Sequence, residues 1–139
     1  MPDFSPHNID LAERISRYIF IRKYFNPRTG NISPQVFKLP SLKSEEEIHK
    51  LSIYRTEGLD EAEVWALADD QVTKNHPDRL PALARADTQA QKVLDLDLKF
   101  DPNGVPHPRH ANIVGWPDDE VARQMKAVSL AKSAQLVPR

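Results

Sequence analysis

Cysteine is absent from the 139-residue chain, which excludes a disulfide framework, a thiolate zinc site and a cysteine nucleophile. Glycine is scarce, with residues only at 30, 58, 104 and 115. Neither a Walker loop nor a dinucleotide fingerprint can be written around four such isolated glycines, so no cofactor is expected. The Gly-x-Ser-x-Gly elbow and the His-Glu-x-x-His pair are missing as well. Long apolar runs are also lacking: Tyr18 to Ile21 is far short of a bilayer span. The opening stretch Met1 to Asp10 carries Asp3, two prolines and His7, and has no apolar signal core. These absences predict a cytoplasmic protein with no membrane partner.

What is present is an ordinary globular balance of 40% apolar and 28% charged residues. The length suits one domain over 1–139, with residues 1–9 expected as a loosely ordered arm. The net charge of −1 is unevenly placed. Residues 1–43 and 79–139 are mildly basic, while 44–78 hold ten Asp/Glu against three Lys/Arg. An acidic centre between basic ends predicts no general nucleic-acid surface, and makes the 45–78 region a candidate face for a basic protein partner.

Twelve prolines cut the chain into short elements. Asp10 followed by Glu13 has the spacing of a capping box, and Leu11, Ile15, Tyr18 and Ile19 recur at helical intervals, predicting a first helix. Beyond Arg17 the run Tyr18-Ile19-Phe20-Ile21 fits a strand equally well. Strands are predicted at Gln35–Leu39 and Leu51–Arg55, with Ser41 to Lys50 as a polar connection. Asp60 and Glu63 form a second capping pair, opening a helix to about Asn75 with Val64, Leu67, Ala68 and Val72 inward. A third helix is expected from Asp87 or Thr88, with Val93 and Leu94 inward, then a strand over Leu96–Phe100. The Asp101–Gly104 turn, a short strand over Ala111–Val114 and a last helix opened by Asp118, Asp119 and Glu120 follow. Val121, Met125 and Val128 are the expected inner face of that helix. The pattern is α+β: one domain with a small mixed sheet of four to five short strands and three to four helices packed on it.

Chemistry concentrates around Arg109-His110-Ala111-Asn112. On a strand, His110 and Asn112 share one face and Arg109 takes the other. Histidine moves protons near neutral pH, asparagine orients a carbonyl or water, and arginine forks onto phosphate. The bland alternative is that His110 and Asn112 hydrogen-bond a Pro-rich crossover to its neighbouring strand. His107 and His110, with Asp101, have a metal-compatible spacing, but in a rigid loop the rings need not converge, and no metal is expected. Arg17, Arg55, Arg85 and Arg109 form an anion site if they converge; otherwise Asp87 caps a helix and each arginine serves locally. Trp65 and Trp116 fit core positions better than base-stacking platforms.

The segments Ile15–Phe20, Ser52-Ile53-Tyr54-Arg55, Ala84-Arg85-Ala86-Asp87 and Pro108–Pro117, with its Arg-His-Ala-Asn-Ile-Val-Gly-Trp-Pro, resemble marker segments of a family of small bacterial proteins that carries no assigned activity. The resemblance spans about Ile15 to Val137. It implies a bacterial protein and transfers no catalytic residue.

Two functions fit. One is a binding or accessory module for a protein partner or ligand. The other is a small enzyme acting on a nucleotide or nucleic-acid phosphate, with His110 as acid/base, Asn112 as orienter and arginines as anion clamps.

Overall fold

The computed structural model describes residues 8–39, 50–73 and 80–139. Eight strands and three α-helices follow in the order β1 (Arg14–Ile19), β2 (Phe25–Asn26), β3 (Asn31–Ile32), β4 (Leu51–Arg55), α1 (Glu61–Ala68), β5 (Ala84–Gln89), α2 (Ala90–Leu94), β6 (Lys99–Asp101), β7 (His110–Val114), α3 (Glu120–Ser133) and β8 (Gln135–Pro138). Six of the strands form one antiparallel sheet ordered β6-β7-β4-β1-β5-β8, and β2 with β3 forms a separate hairpin. The architecture is α+β, with more strands than the sequence predicts.

The sheet has two different faces. Ladder register puts Ile19 and Ala84, Leu51 and Ile113, and Ile53 and Ala111 on the same side. This side is covered by α3 through Ala127, Leu130 and Ala131, and by Val36 and Phe37 of the 3-10 turn Pro34–Phe37. On the opposite side Ser16, Tyr18, Ser52, Tyr54, Arg85, Asp87, His110 and Asn112 alternate with those core residues. Here α1 lies against Tyr18 and Tyr54 with Val64, Leu67 and Ala68, and the Tyr18 hydroxyl donates to the Val64 carbonyl at 2.6 Å. One face is thus an aliphatic core, and the other is a polar sheet surface partly sealed by a short helix.

Several expectations change. The first predicted helix is β1. Asp10 and Glu13 do close a turn, with the Glu13 amide on the Asp10 carbonyl, but pairing on both edges with β4 and β5 outweighs local helical spacing. In place of the strand predicted over Gln35–Leu39 there is the 3-10 turn Pro34–Phe37, capped by Ser33 with Pro34 at its start. The expected third helix is a strand through Gln89, so Asp87 caps nothing, and the helix begins only at Ala90. Val93 is buried there but Leu94 is exposed. The strand predicted over Leu96–Phe100 is confined to Lys99–Asp101, after a turn at Leu96 and Asp97. In α3 the buried residues are Ala127, Leu130 and Ala131, while Val121 and Met125 face solvent.

Other expectations match. β4 spans Leu51–Arg55, and Asp60 and Glu63 make a reciprocal capping box on α1. The helix turns into a π-helical segment over Asp69–Thr73, with Val72 packed at the edge of the core. Asp119 caps α3. The connection at residues 40–49, the helix end near Asn75, and residues 1–7 of the expected arm lie outside the described residues. Asn8 and Ile9 are described: the Asn8 carbonyl accepts from Arg55 and Ile9 packs on the core. Among the described residues, no helix is long and apolar enough to cross a membrane.

Candidate active site

β4 and β7 are neighbours in antiparallel register, with Ser52 opposite Asn112 and Tyr54 opposite His110. Because side chains alternate along a strand, these four residues stand on the polar face. His110, 7% exposed, is the pivot. Its Nε2 lies 2.6 Å from the Ser52 hydroxyl, and its Nδ1 lies 2.9 Å from Asn103 Oδ1. The Tyr54 ring meets the imidazole edge-on at 5.4 Å and walls one side.

The hydrogen-bond pattern assigns the histidine tautomer. Asn103 Oδ1 also accepts the Val105 amide at 3.4 Å, which identifies that atom as the carbonyl oxygen rather than the amide nitrogen. An oxygen that only accepts requires Nδ1–H on His110. Nε2 therefore carries the lone pair and accepts the Ser52 O–H. Burial pushes the imidazole below its ordinary 6.5, against the opposing pull of the Val105 backbone and Asp101. Burial thus favours the neutral imidazole, with its basic nitrogen aimed at a hydroxyl.

The loop from Asp101 to Arg109 supplies the third member. Asn103 follows β6, its amide bonds to the Asp101 carbonyl, and Gly104 adopts a φ of +66°, a left-handed geometry that suits glycine. The Gly104 amide then reaches the His110 carbonyl at 3.3 Å, so the loop doubles back over the start of β7. Asn112, half-buried, sits across the ladder from Ser52. Cβ atoms of such a cross-strand pair lie about 5 Å apart, within reach of a group bound at the Ser52 hydroxyl.

The four arginines of the predicted anion site have protein acceptors and do not surround one ligand position. Arg85 is on the polar face beneath α1. Its Nε bonds both oxygens of Asp87 at 3.0 Å, while its two terminal nitrogens fork onto Glu61 at 2.7 and 2.9 Å. Direct hydrogen bonding to Arg85 holds the Glu61 carboxyl below its ordinary range. Ser16 donates to Asp87 at 2.6 Å and contacts Thr56, extending the network across β1. Arg17 is on the other face, donating to the carbonyls of Val36 and Ser52. Arg55, also there, is buried against Glu13 at 2.6 and 2.9 Å. Arg109 reaches the carbonyls of Arg55 and Glu57.

The His107 and His110 rings serve different partners. His107 Nδ1 accepts the Arg109 amide at 3.1 Å, and among the described residues no three His, Asp or Glu side chains are grouped to hold a metal ion. Trp116 is buried with its indole N–H on the Ile113 carbonyl. Trp65 is half-buried between the guanidinium groups of Arg85 and Arg139, 4.9 and 5.2 Å from its ring centre. Most of the described acidic residues of this region are engaged internally. Glu57 accepts the Arg14 amide, Asp60 and Glu63 cap α1, Glu61 binds Arg85, and Asp69 binds Arg139. Residues 45–49 and 74–78 of that region lie outside the described residues.

Ser52 and Asn103 are the two site residues that the sequence reading misses. Their faint signal is a serine on the polar phase of a β4-type alternation and an Asn-Gly turn upstream of the histidine. No protein-family model matches the sequence, and no curated protein or solved structure matches it either.

Proposed function

We propose that the chain is a small serine-dependent hydrolase of neutral acyl esters, with Ser52 as nucleophile, His110 as general base and then general acid, and Asn103 as the group that holds the imidazole. The observation that carries this reading is the continuous contact Ser52 Oγ, His110 Nε2, His110 Nδ1, Asn103 Oδ1 at 2.6 and 2.9 Å. A weak hydroxyl nucleophile needs an adjacent base, and that base needs an orienting partner. Ser52 Oγ attacks the ester carbonyl carbon as its proton passes to Nε2. The carbonyl electrons move onto oxygen, which Asn112 stabilises by donating its amide N–H. Collapse of this intermediate breaks the bond to the leaving alcohol, which takes the proton from His110. Water then repeats the sequence on the acyl-serine and regenerates the hydroxyl.

The substrate class follows from charge. The phosphate reading needs cations converging on the site, whereas Arg17, Arg55, Arg85 and Arg109 are directed to carboxylates and backbone carbonyls. A neutral acyl group asks for none of them.

The test is labelling with a fluorophosphonate, with the modified residue mapped by mass spectrometry, alongside release of p-nitrophenol from its acetate ester. Parent protein should be labelled at Ser52 and Ser52→Ala should not. His110→Ala should lower turnover by about 10²–10⁴-fold. Asn103→Asp should retain activity better than Asn103→Ala, because a carboxylate can also accept from Nδ1. A parent protein that is neither labelled nor active overturns the reading and leaves a binding role without turnover.

A further inference from the structure

The phase of the hydrogen bonds along β4 fixes which neighbour holds the backbone at Ser52. β4 lies between β7 and β1. The Arg55 amide donates to the Arg109 carbonyl at 2.8 Å. In an antiparallel ladder such bonded pairs alternate with pairs that exchange no bond. Ile53 and Ala111 are therefore a bonded pair, while Tyr54 with His110 and Ser52 with Asn112 are not. The peptide groups of Ser52 point away from β7 and toward β1. The Thr56 amide, in the same phase, donates to the Arg14 carbonyl at 3.2 Å on that side.

On the β1 side the ladder stops just short of the serine. β1 pairs with β4 at Ile15–Arg55 and Ser16–Tyr54, whereas its pairing with β5 runs on to Ile19. Continuing the register would set Tyr18 opposite Ser52, and there the two strands part. Arg17 spans the fork. Its Nη1 donates to the Ser52 carbonyl at 2.7 Å, and its Nε donates to the Val36 carbonyl at 2.9 Å. Val36 is buried in the 3-10 turn Pro34–Phe37. One guanidinium thus ties the peptide unit of Ser52 to β1 and to the core. The planar fork of arginine suits this task, because its donors keep a fixed geometry that a lysine ammonium lacks.

Ser52 Oγ lies 2.6 Å from His110 Nε2, and a shift of about 1 Å in a reacting group can cost about 10²-fold in rate. We infer that Arg17 is a positioning residue for the Ser52 nucleophile, standing in for the ladder bond that β1 does not make. This rests on the hydrolase reading and gives one of the arginines a role that needs no anion.

The experiment compares parent, Arg17→Lys and Arg17→Ala by rate of fluorophosphonate labelling, by kcat and KM on p-nitrophenyl acetate, and by melting temperature. In Arg17→Ala the labelling rate and kcat should fall about 10–100-fold with KM nearly unchanged, since the arginine holds the nucleophile and not the ester. Added methylguanidinium should restore part of the lost rate by entering the vacated fork. Arg17→Lys should fall between parent and Arg17→Ala. An arginine that served stability alone would lower the melting temperature and leave the kcat of the folded protein as it was. A labelled parent whose folded Arg17→Ala and Arg17→Lys variants react at the parental rate overturns this inference alone. If Arg17→Ala does not fold, a parental rate in Arg17→Lys does the same. A parent that is neither labelled nor active overturns the hydrolase reading and this inference together.

Discussion

Four buried polar side chains show that burial alone does not decide what a residue contributes. Thr88 is buried on the core side of β5, and its hydroxyl has no hydrogen-bond partner among the described residues. Thr88→Val keeps the shape and removes the unsatisfied group. It should raise stability by about 1 kcal/mol in urea denaturation. Arg55 and Glu13 are the opposite case, a buried pair whose charges satisfy each other. Glu13→Ala strands the guanidinium and should cost about 3–5 kcal/mol, while the double replacement Glu13→Leu with Arg55→Met should cost less than the single one. Chemical denaturation of the three variants orders them. His110 is held neutral by burial, and its depressed affinity for protons has two consequences. The acid limb of kcat/KM should have its midpoint below 6.5. The stabilising effect of keeping His110 neutral should be full above 6.5 and decline as pH falls below it, since the unfolded chain then takes up the proton first. Melting curves of parent and His110→Asn from pH 7.5 to 5 should therefore converge as the solution becomes more acidic.

Among the elements, α1 and β4 are the ones that the sequence makes readable, because their signals are local. The Asp60–Glu63 capping box closes within four residues and needs nothing from the rest of the fold. Asp60→Ala should lower stability by about 1 kcal/mol. Leu67→Ala, in the buried face of the same helix, should lower it by about 2–4 kcal/mol. Thermal or urea unfolding reads both. β1 and β5 were illegible for a shared reason. In Ala84-Arg85-Ala86-Asp87-Thr88-Gln89 the polar phase is charged and yet buried, made tolerable by the Arg85–Asp87 pair together with Glu61 and Ser16 from distant elements. Local pattern does not show the distant partners, so the stretch reads as a helix start. In α3 the sequence points to the wrong face because Val and Met outrank Ala as core residues by hydrophobicity, whereas tight packing on the sheet favours alanine. The site divides along the same line. His110 and Asn112 stand out by residue type in one short segment, but Ser52 joins them only through the β4–β7 register, and Asn103 only through the loop that follows β6.

At the scale of the molecule, the sheet separates duties between its faces. The aliphatic side with α3 supplies most of the core, and the polar side holds the Ser52–His110–Asn103 relay and the Arg85 network. On the hydrolase reading, a substitution in that hydrogen-bonded chain should alter turnover with little effect on the larger core. The outer strands are protected by brevity and by proline: β6 has three residues, and β8 has four and includes Pro138.

The strand order has a consequence for how the protein is made. β1 is central in the sheet but precedes both its neighbours in the chain, β4 by some thirty residues and β5 by more than sixty. A nascent polypeptide leaving the ribosome exposes Ile15 and Ile19 with open backbone edges throughout that interval. The covering residues Ala127, Leu130 and Ala131 emerge later still. Folding must then await late, long-range pairings, which are slow, and the waiting strand is a natural target for chaperones or for another nascent chain.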